Sequence, residues 1–140
     1  YWVFAPTADS ITDSDVRITA IAHHRRDTLL LYCEYCNRRW MIDGWMQIDS
    51  SAYVENAYTH ERYRVSNLRD CKFSPDTTSV KWLSIHKFVL LFANVPDTIT
   101  RINFCESDTS DWKFYDIDLS NKRYIEAFQW DTTIWKNPPF

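Results

Sequence analysis

The most decided hydrophobic pattern in the chain runs from His86 to Leu119, HKFVLLFANVPDTITRINFCESDTSDWKFYDIDL. Phe88, Leu90 and Phe92 fall on one face of an extended segment and Val89, Leu91 and Ala93 on the other. With both faces apolar, this strand is expected at the centre of a sheet. Asn94-Val95-Pro96-Asp97 ends it, because proline has no N–H for a ladder and Asn and Asp side chains bond local backbone. Ile102 and Phe104 repeat at period two in a second strand, Thr98 to Cys105. Glu106 to Asp111 reads as a polar turn, and Tyr115, Ile117 and Leu119 share a face of a third strand, Trp112 to Leu119.

Upstream, Val16, Ile18, Ala20 and Ala22 alternate with Arg17 and Thr19, the pattern of a half-buried strand. His23 to Asp27 is a polar connection. Thr28 to Cys36 is apolar on both faces at Leu29, Leu30 and Leu31 and pairs naturally with the preceding strand as a hairpin. Trp40 to Ile48 reads as a strand or strand pair interrupted by Asp43-Gly44, which suits a type I′ turn or a bulge. Short strands around Tyr53-Val54 and Arg62 to Val65 follow, then a loop from Cys71 to Ser79. Seven to eight short strands separated by turn chemistry predict an all-β, immunoglobulin-like β-sandwich over residues 15–119. Residues 1–14 form a leading segment, loop-like around Pro6 and the Asp9 to Asp15 cluster, whose apolar start Trp2-Val3-Phe4 is free to dock on the domain or on a partner. Residues 120–140 form a short aromatic tail. There Ser120 fits an N-cap, and Tyr124, Ile125 and Phe128 have the spacing of a short helix over 121–129.

The length of 140 residues suits one domain with a sizeable core. Hydrophobic residues make up 45% and aromatics 16%, which excludes a disordered segment. A net charge of −3, mixed in sign, argues against an electrostatic nucleic-acid binder, which needs a concentrated Lys/Arg surface. The single glycine, Gly44, excludes Gly-rich phosphate loops. No apolar run is long enough for a membrane-spanning helix. Tyr1 reads as the start of a processed or trimmed chain.

Cys33 and Cys36 form a CxxC pair at the end of a strand, where their side chains point to opposite faces. With Cys71 and Cys105 distant in sequence, buried thiols or disulfides are expected rather than a redox or zinc centre. His23, His24, His60 and His86 show no metal-ligand spacing, and the His23-His24 pair reads as solvated. Glu106, Asp108, Asp111, Asp116 and Asp118 match no calcium loop and read as an ordinary acidic turn and strand. No nucleophile elbow is present, and the chain reads as non-catalytic, with no cofactor. Trp40, Trp45 and Trp82 are expected in the core or at the sandwich edge. Phe128, Trp130, Ile134, Trp135 and Phe140 follow the completed sandwich. They either fold back over an open sheet face or serve as partner-binding anchors, since aromatic residues dominate such hot spots.

The segments Trp45-Met46-Gln47-Ile48-Asp49, Phe88-x-Leu90-Leu91-Phe92-x-x-Val95-Pro96, Ile102-Asn103-Phe104-x-Glu106 and Trp112-Lys113-Phe114-Tyr115-x-Ile117-x-Leu119 together resemble small immunoglobulin-like β-sandwich domains of secreted Bacteroidetes proteins. Domains of that kind often precede a thioredoxin-like domain and carry no catalytic residues. They often have Gly where Asp116 stands and a Gly-rich turn in place of Ser107 to Ser110. The residues after Leu119 are too few for a thioredoxin domain. The resemblance implies a non-catalytic extracytoplasmic module, periplasmic, outer-membrane-associated or secreted, that docks on a larger protein of the cell envelope. The alternative from the tryptophan content is a carbohydrate-binding module, with a glycan as partner.

Overall fold

A computed structural model describes residues 1–11, 15–24, 27–110 and 112–124. Among the described residues there are eleven strands: β1 (Trp2–Phe4), β2 (Ser10–Ile11), β3 (Val16–His24), β4 (Thr28–Cys36), β5 (Gly44–Met46), β6 (Tyr53–Asn56), β7 (Arg62–Arg69), β8 (Thr78–Val80), β9 (Ile85–Phe92), β10 (Arg101–Cys105) and β11 (Lys113–Asp118). Nine of them form one curled antiparallel sheet in the order β1-β3-β4-β9-β7-β6-β10-β11-β2, and β5 and β8 form a separate ribbon. The fold is all-β and sandwich-like.

The curl turns on β7. Its first residues, Arg62 to Arg64, pair with β6, whereas Val65 to Arg69 pair with β9. One strand therefore belongs to both layers, and the layers face each other across a common core. The opposite side is closed by the chain's first residues. Trp2 to Phe4 pair with β3, and Ser10 and Ile11 pair with β11. Trp2–Phe4 and Ser10–Ile11 of the leading segment thus lie in the sheet, and Trp2 and Val3 are buried.

Between the layers, Leu29, Leu31, Phe88, Leu90 and Phe92 meet Val54, Ile102, Phe104, Phe114 and Ile117. The Phe92 and Phe104 rings join the layers edge to face, with centroids 6.3 Å apart. A second apolar cluster, Trp2, Ala20, Ala22, Leu30, Tyr32, Val89 and Leu91, lies on the outward face of the β3-β4-β9 layer. The two-faced apolar pattern of β4 and β9 is thereby explained, and β9 is central, flanked by β4 and β7.

Two bulges revise the facing of side chains. On β3, the register passes from Ile18↔Cys33 to Ala20↔Tyr32, leaving Thr19 as an extra residue. A one-residue insertion reverses the parity of everything after it. Val16 therefore faces the core, but Ile21 replaces Ala20 and Ala22 there, and the two alanines turn outward. On β11, two residues, Tyr115 and Asp116, stand opposite the single Asn103. Asp116 adopts φ 53° and its N–H donates to Asn103 Oδ1 at 2.9 Å. As a result Phe114, Ile117 and Leu119 are buried while Tyr115 is exposed, not the single-face set Tyr115, Ile117 and Leu119. Aspartate tolerates this left-handed conformation better than most residues, so the position preferring glycine is met without one.

Of the short helix expected over 121–129, Asn121 to Tyr124 are not helical and the remainder lies outside the described residues; Arg123 exchanges two 2.7 Å backbone hydrogen bonds with Trp2. No helix among the described residues is long and apolar enough to cross a membrane.

Candidate functional site

The end of the sandwich where β4 stops and β9 starts is organised by Asn37, whose side chain is fully buried. Its Nδ2 donates to the carbonyls of Ile42 and Val80, both at 2.9 Å, and its Oδ1 accepts the Arg39 N–H at 3.0 Å. The Asn37 carbonyl also accepts the Leu83 N–H at 2.8 Å. One side chain and its backbone therefore tie together the 38–43 turn, the end of β8 and the 81–84 turn. Gly44 is needed for close approach, not for an unusual φ: a Cβ there would stand 3.1 Å from Asn37 Nδ2. The expected turn at Asp43-Gly44 is displaced, because Gly44 already belongs to β5.

What this framework presents is apolar. Trp40 is 76% exposed, Met41 68%, Ile42 51%, Trp45 55%, Leu83 60% and Ile85 57%. Trp40 packs edge to face on the half-buried Trp82, with ring centroids 5.5 Å apart. Of the two placements expected from sequence, core or sandwich edge, Trp40 and Trp45 are thus not in the core but on the surface. Met41 and Leu83 also sit at φ 50° and 59°, where a side chain costs roughly 1–2 kcal/mol. Hydrogen bonds to Asn37 hold both turns in place against that cost.

Beside this end lies a cleft of about 350 Å³ between Trp45 and Trp112. Trp112 is braced from behind, its ring 6.1 Å from Phe88 and 5.7 Å from Tyr35. Glu106, only 8% exposed, lines the cleft, and one carboxylate oxygen accepts the Asp49 N–H at 2.6 Å. Asp49 lies at the rim and accepts both the Ser51 hydroxyl at 2.6 Å and the Ser51 N–H at 2.8 Å. These bonds hold its carboxyl below the ordinary carboxylate range. Met46, Gln47, Ser74, Ser107, Thr109 and Ser110 complete the lining, and no Lys or Arg is among the described residues that form it.

Among the other residues singled out by sequence, Cys33 and Cys71 come near each other at the core. Cys33, Cys36, Cys71 and Cys105 are free thiols. Cys33 lies in the core, and burial pushes its thiol well up; burial likewise pushes the Cys71 thiol up to about 12. Thiols shifted in that direction are poor nucleophiles. His23 is not a solvated turn residue. With His24 it ends β3, and it is buried, stacks on Tyr1 and places Nε2 2.6 Å from the Val95 carbonyl. Among the described residues, no group of three His, Cys, Asp or Glu side chains is placed to hold a metal ion. Phe128, Trp130, Ile134, Trp135 and Phe140 lie outside the described residues.

Sequence reasoning missed Asn37 and the exposed Trp40-Met41-Ile42 run. The available signal was a run of three apolar residues directly before Asp-Gly, which fits neither strand nor helix period. No family model, curated protein or solved structure matches the chain.

Proposed function

We propose that the chain is a non-catalytic, extracytoplasmic binding or assembly module that docks on a larger protein of the cell envelope. The observation carrying this reading is the exposed apolar end built from Trp40, Met41, Ile42, Trp45, Leu83 and Ile85 on the Asn37 framework. Scattered apolar residues are normal on a surface, but several gathered at one end, with two held in costly backbone conformations, are the usual mark of an interaction site. Indole and aliphatic groups of this kind gain most when a protein surface excludes water from them. Localisation and the kind of partner rest on the resemblance of the β9 to β11 segments to envelope sandwich domains. Phe128, Trp130, Ile134, Trp135 and Phe140 are proposed as further anchors for the same partner.

The test is capture from a native envelope extract with the full chain, a Trp40→Asp/Ile42→Asp variant and a chain ending at Tyr124, each first shown to unfold cooperatively. The expected result is a stoichiometric envelope protein retained by the full chain and lost by the double variant. Retention unchanged by the double variant, or no stoichiometric partner at all, overturns the assignment of this end. Loss on truncation alone would assign the interface to the tail residues.

A further inference from the structure

The cleft between Trp45 and Trp112 makes demands that the protein-docking reading does not use. Its lining is rich in acceptors and poor in charged donors. Glu106 is more than nine-tenths buried, lines the cleft, and accepts the Asp49 N–H through one of its two oxygens. A carboxylate accepts through both of its oxygens, so a ligand bringing an O–H or N–H into the cleft has an acceptor waiting for it. Ser107 and Thr109 offer hydroxyls that accept as well as donate. The tryptophans add a second demand, for a flat or gently curved C–H surface against an indole. Trp112 is held in place for such a contact by Phe88 and Tyr35, so little side-chain freedom is lost on binding. The volume of about 350 Å³ is at the small end of ligand clefts, room for one or two rings rather than an extended peptide.

A pyranose ring meets both demands at once. One of its faces presents C–H groups to an indole, and its edge carries the hydroxyl donors that Glu106 accepts. An aromatic ligand satisfies only the second demand, and a bare cation only the first. We infer that this cleft is a saccharide-binding subsite, with Glu106 accepting ring hydroxyls, Trp45 and Trp112 as its walls, and Asp49 and the Ser107/Thr109 hydroxyls at its rim. The inference shares Trp45 with the protein-docking surface, but its polar floor at Glu106, Ser107 and Thr109 is separate from Trp40 and Ile42, so the Trp40→Ala and Glu106→Gln variants test the two readings apart.

The experiment is ligand-observed saturation-transfer NMR on the full chain. The probes are glucose, galactose, mannose, N-acetylglucosamine and their β-linked disaccharides, with tetramethylammonium as a cation control. The expected result is saturable binding of at least one sugar in the millimolar range. Glu106→Gln keeps an acceptor for the Asp49 N–H but removes the charge, and weakens that sugar about tenfold or more. Trp45→Ala, at an exposed position where folding is not at stake, abolishes binding, and Trp40→Ala leaves it unchanged. No saturable response to any of the sugars overturns the inference. So does sugar binding indifferent to both Glu106→Gln and Trp45→Ala, or binding of tetramethylammonium only, which would make the cleft an ammonium site.

Discussion

Between the two layers, Phe88, Phe92, Phe104 and Phe114 are buried to within 2% of complete. At the Asn37 end, Trp40, Met41, Ile42 and Trp45 keep half or more of their surface in water. The two regions draw on the same residue types, and the difference lies in what organises them. In the interior, apolar side chains organise themselves by packing, ring against ring across the curled sheet. At the end, one buried amide organises the backbone, and the apolar side chains are carried on it without being consumed by the fold. Apolar residues paid for by polar scaffolding rather than by packing are therefore free for a partner.

The sharpest way to break this contrast is to truncate one ring from each region. Phe104→Ala should cost about 3–5 kcal/mol, as expected for a large ring removed from a packed core, whereas Trp40→Ala should stay within about 0.5 kcal/mol. Chemical denaturation of both variants measures the difference. Equal losses would show that the exposed end is part of the cooperative core.

Asn37→Ala should come next, at about 2–4 kcal/mol, because the Ile42 and Val80 carbonyls and the Arg39 N–H lose their buried partner together. Amide exchange should speed up over residues 38–44 and 81–84 ahead of the β4 and β9 amides. Uniform acceleration over the whole sheet would mean that Asn37 supports the global fold rather than this end alone.

The smallest effect concerns the cleft rim. The Ser51 hydroxyl, and after it the Ser51 N–H, lowers the Asp49 carboxyl. A carboxyl lowered in the folded state contributes stability that is present above its unfolded pKa and lost as the pH falls through the folded value. Ser51→Ala should therefore raise the Asp49 pKa toward the ordinary range and trim stability slightly at neutral pH, with the difference vanishing in acid. An NMR titration of the Asp49 carboxyl carbon checks the direction. An unmoved titration would place the cause elsewhere than in the Ser51 hydroxyl.

Much of the architecture was legible along the chain because strand periodicity is a local property. The two-faced apolar run of β9, the β3-β4 hairpin and the opposed directions of Cys33 and Cys36 all follow from alternation over a few residues. The bulges at Thr19 and Asp116 were not legible, since each depends on what the neighbouring strand offers opposite it. The same holds for β9 and β10, adjacent in sequence yet placed in different layers. The candidate surfaces were legible least. Tryptophan content alone pointed to binding, but exposure is set by which atoms arrive from elsewhere, and apart from the Asp-Gly that follows it the Trp40-Met41-Ile42 run resembles Trp2-Val3-Phe4 locally.

The amino-acid sequence by itself determined an all-β chain with a two-sided central strand, because alternation and turn chemistry act within a few residues. Only the tertiary structure decided that β7 bends to serve both layers, that Trp2 closes an edge while Trp40 faces solvent, and that Glu106 meets Trp45 and Trp112 at one cleft. Those outcomes depend on contacts between residues far apart in the chain, where burial and hydrogen-bond satisfaction are settled jointly rather than position by position.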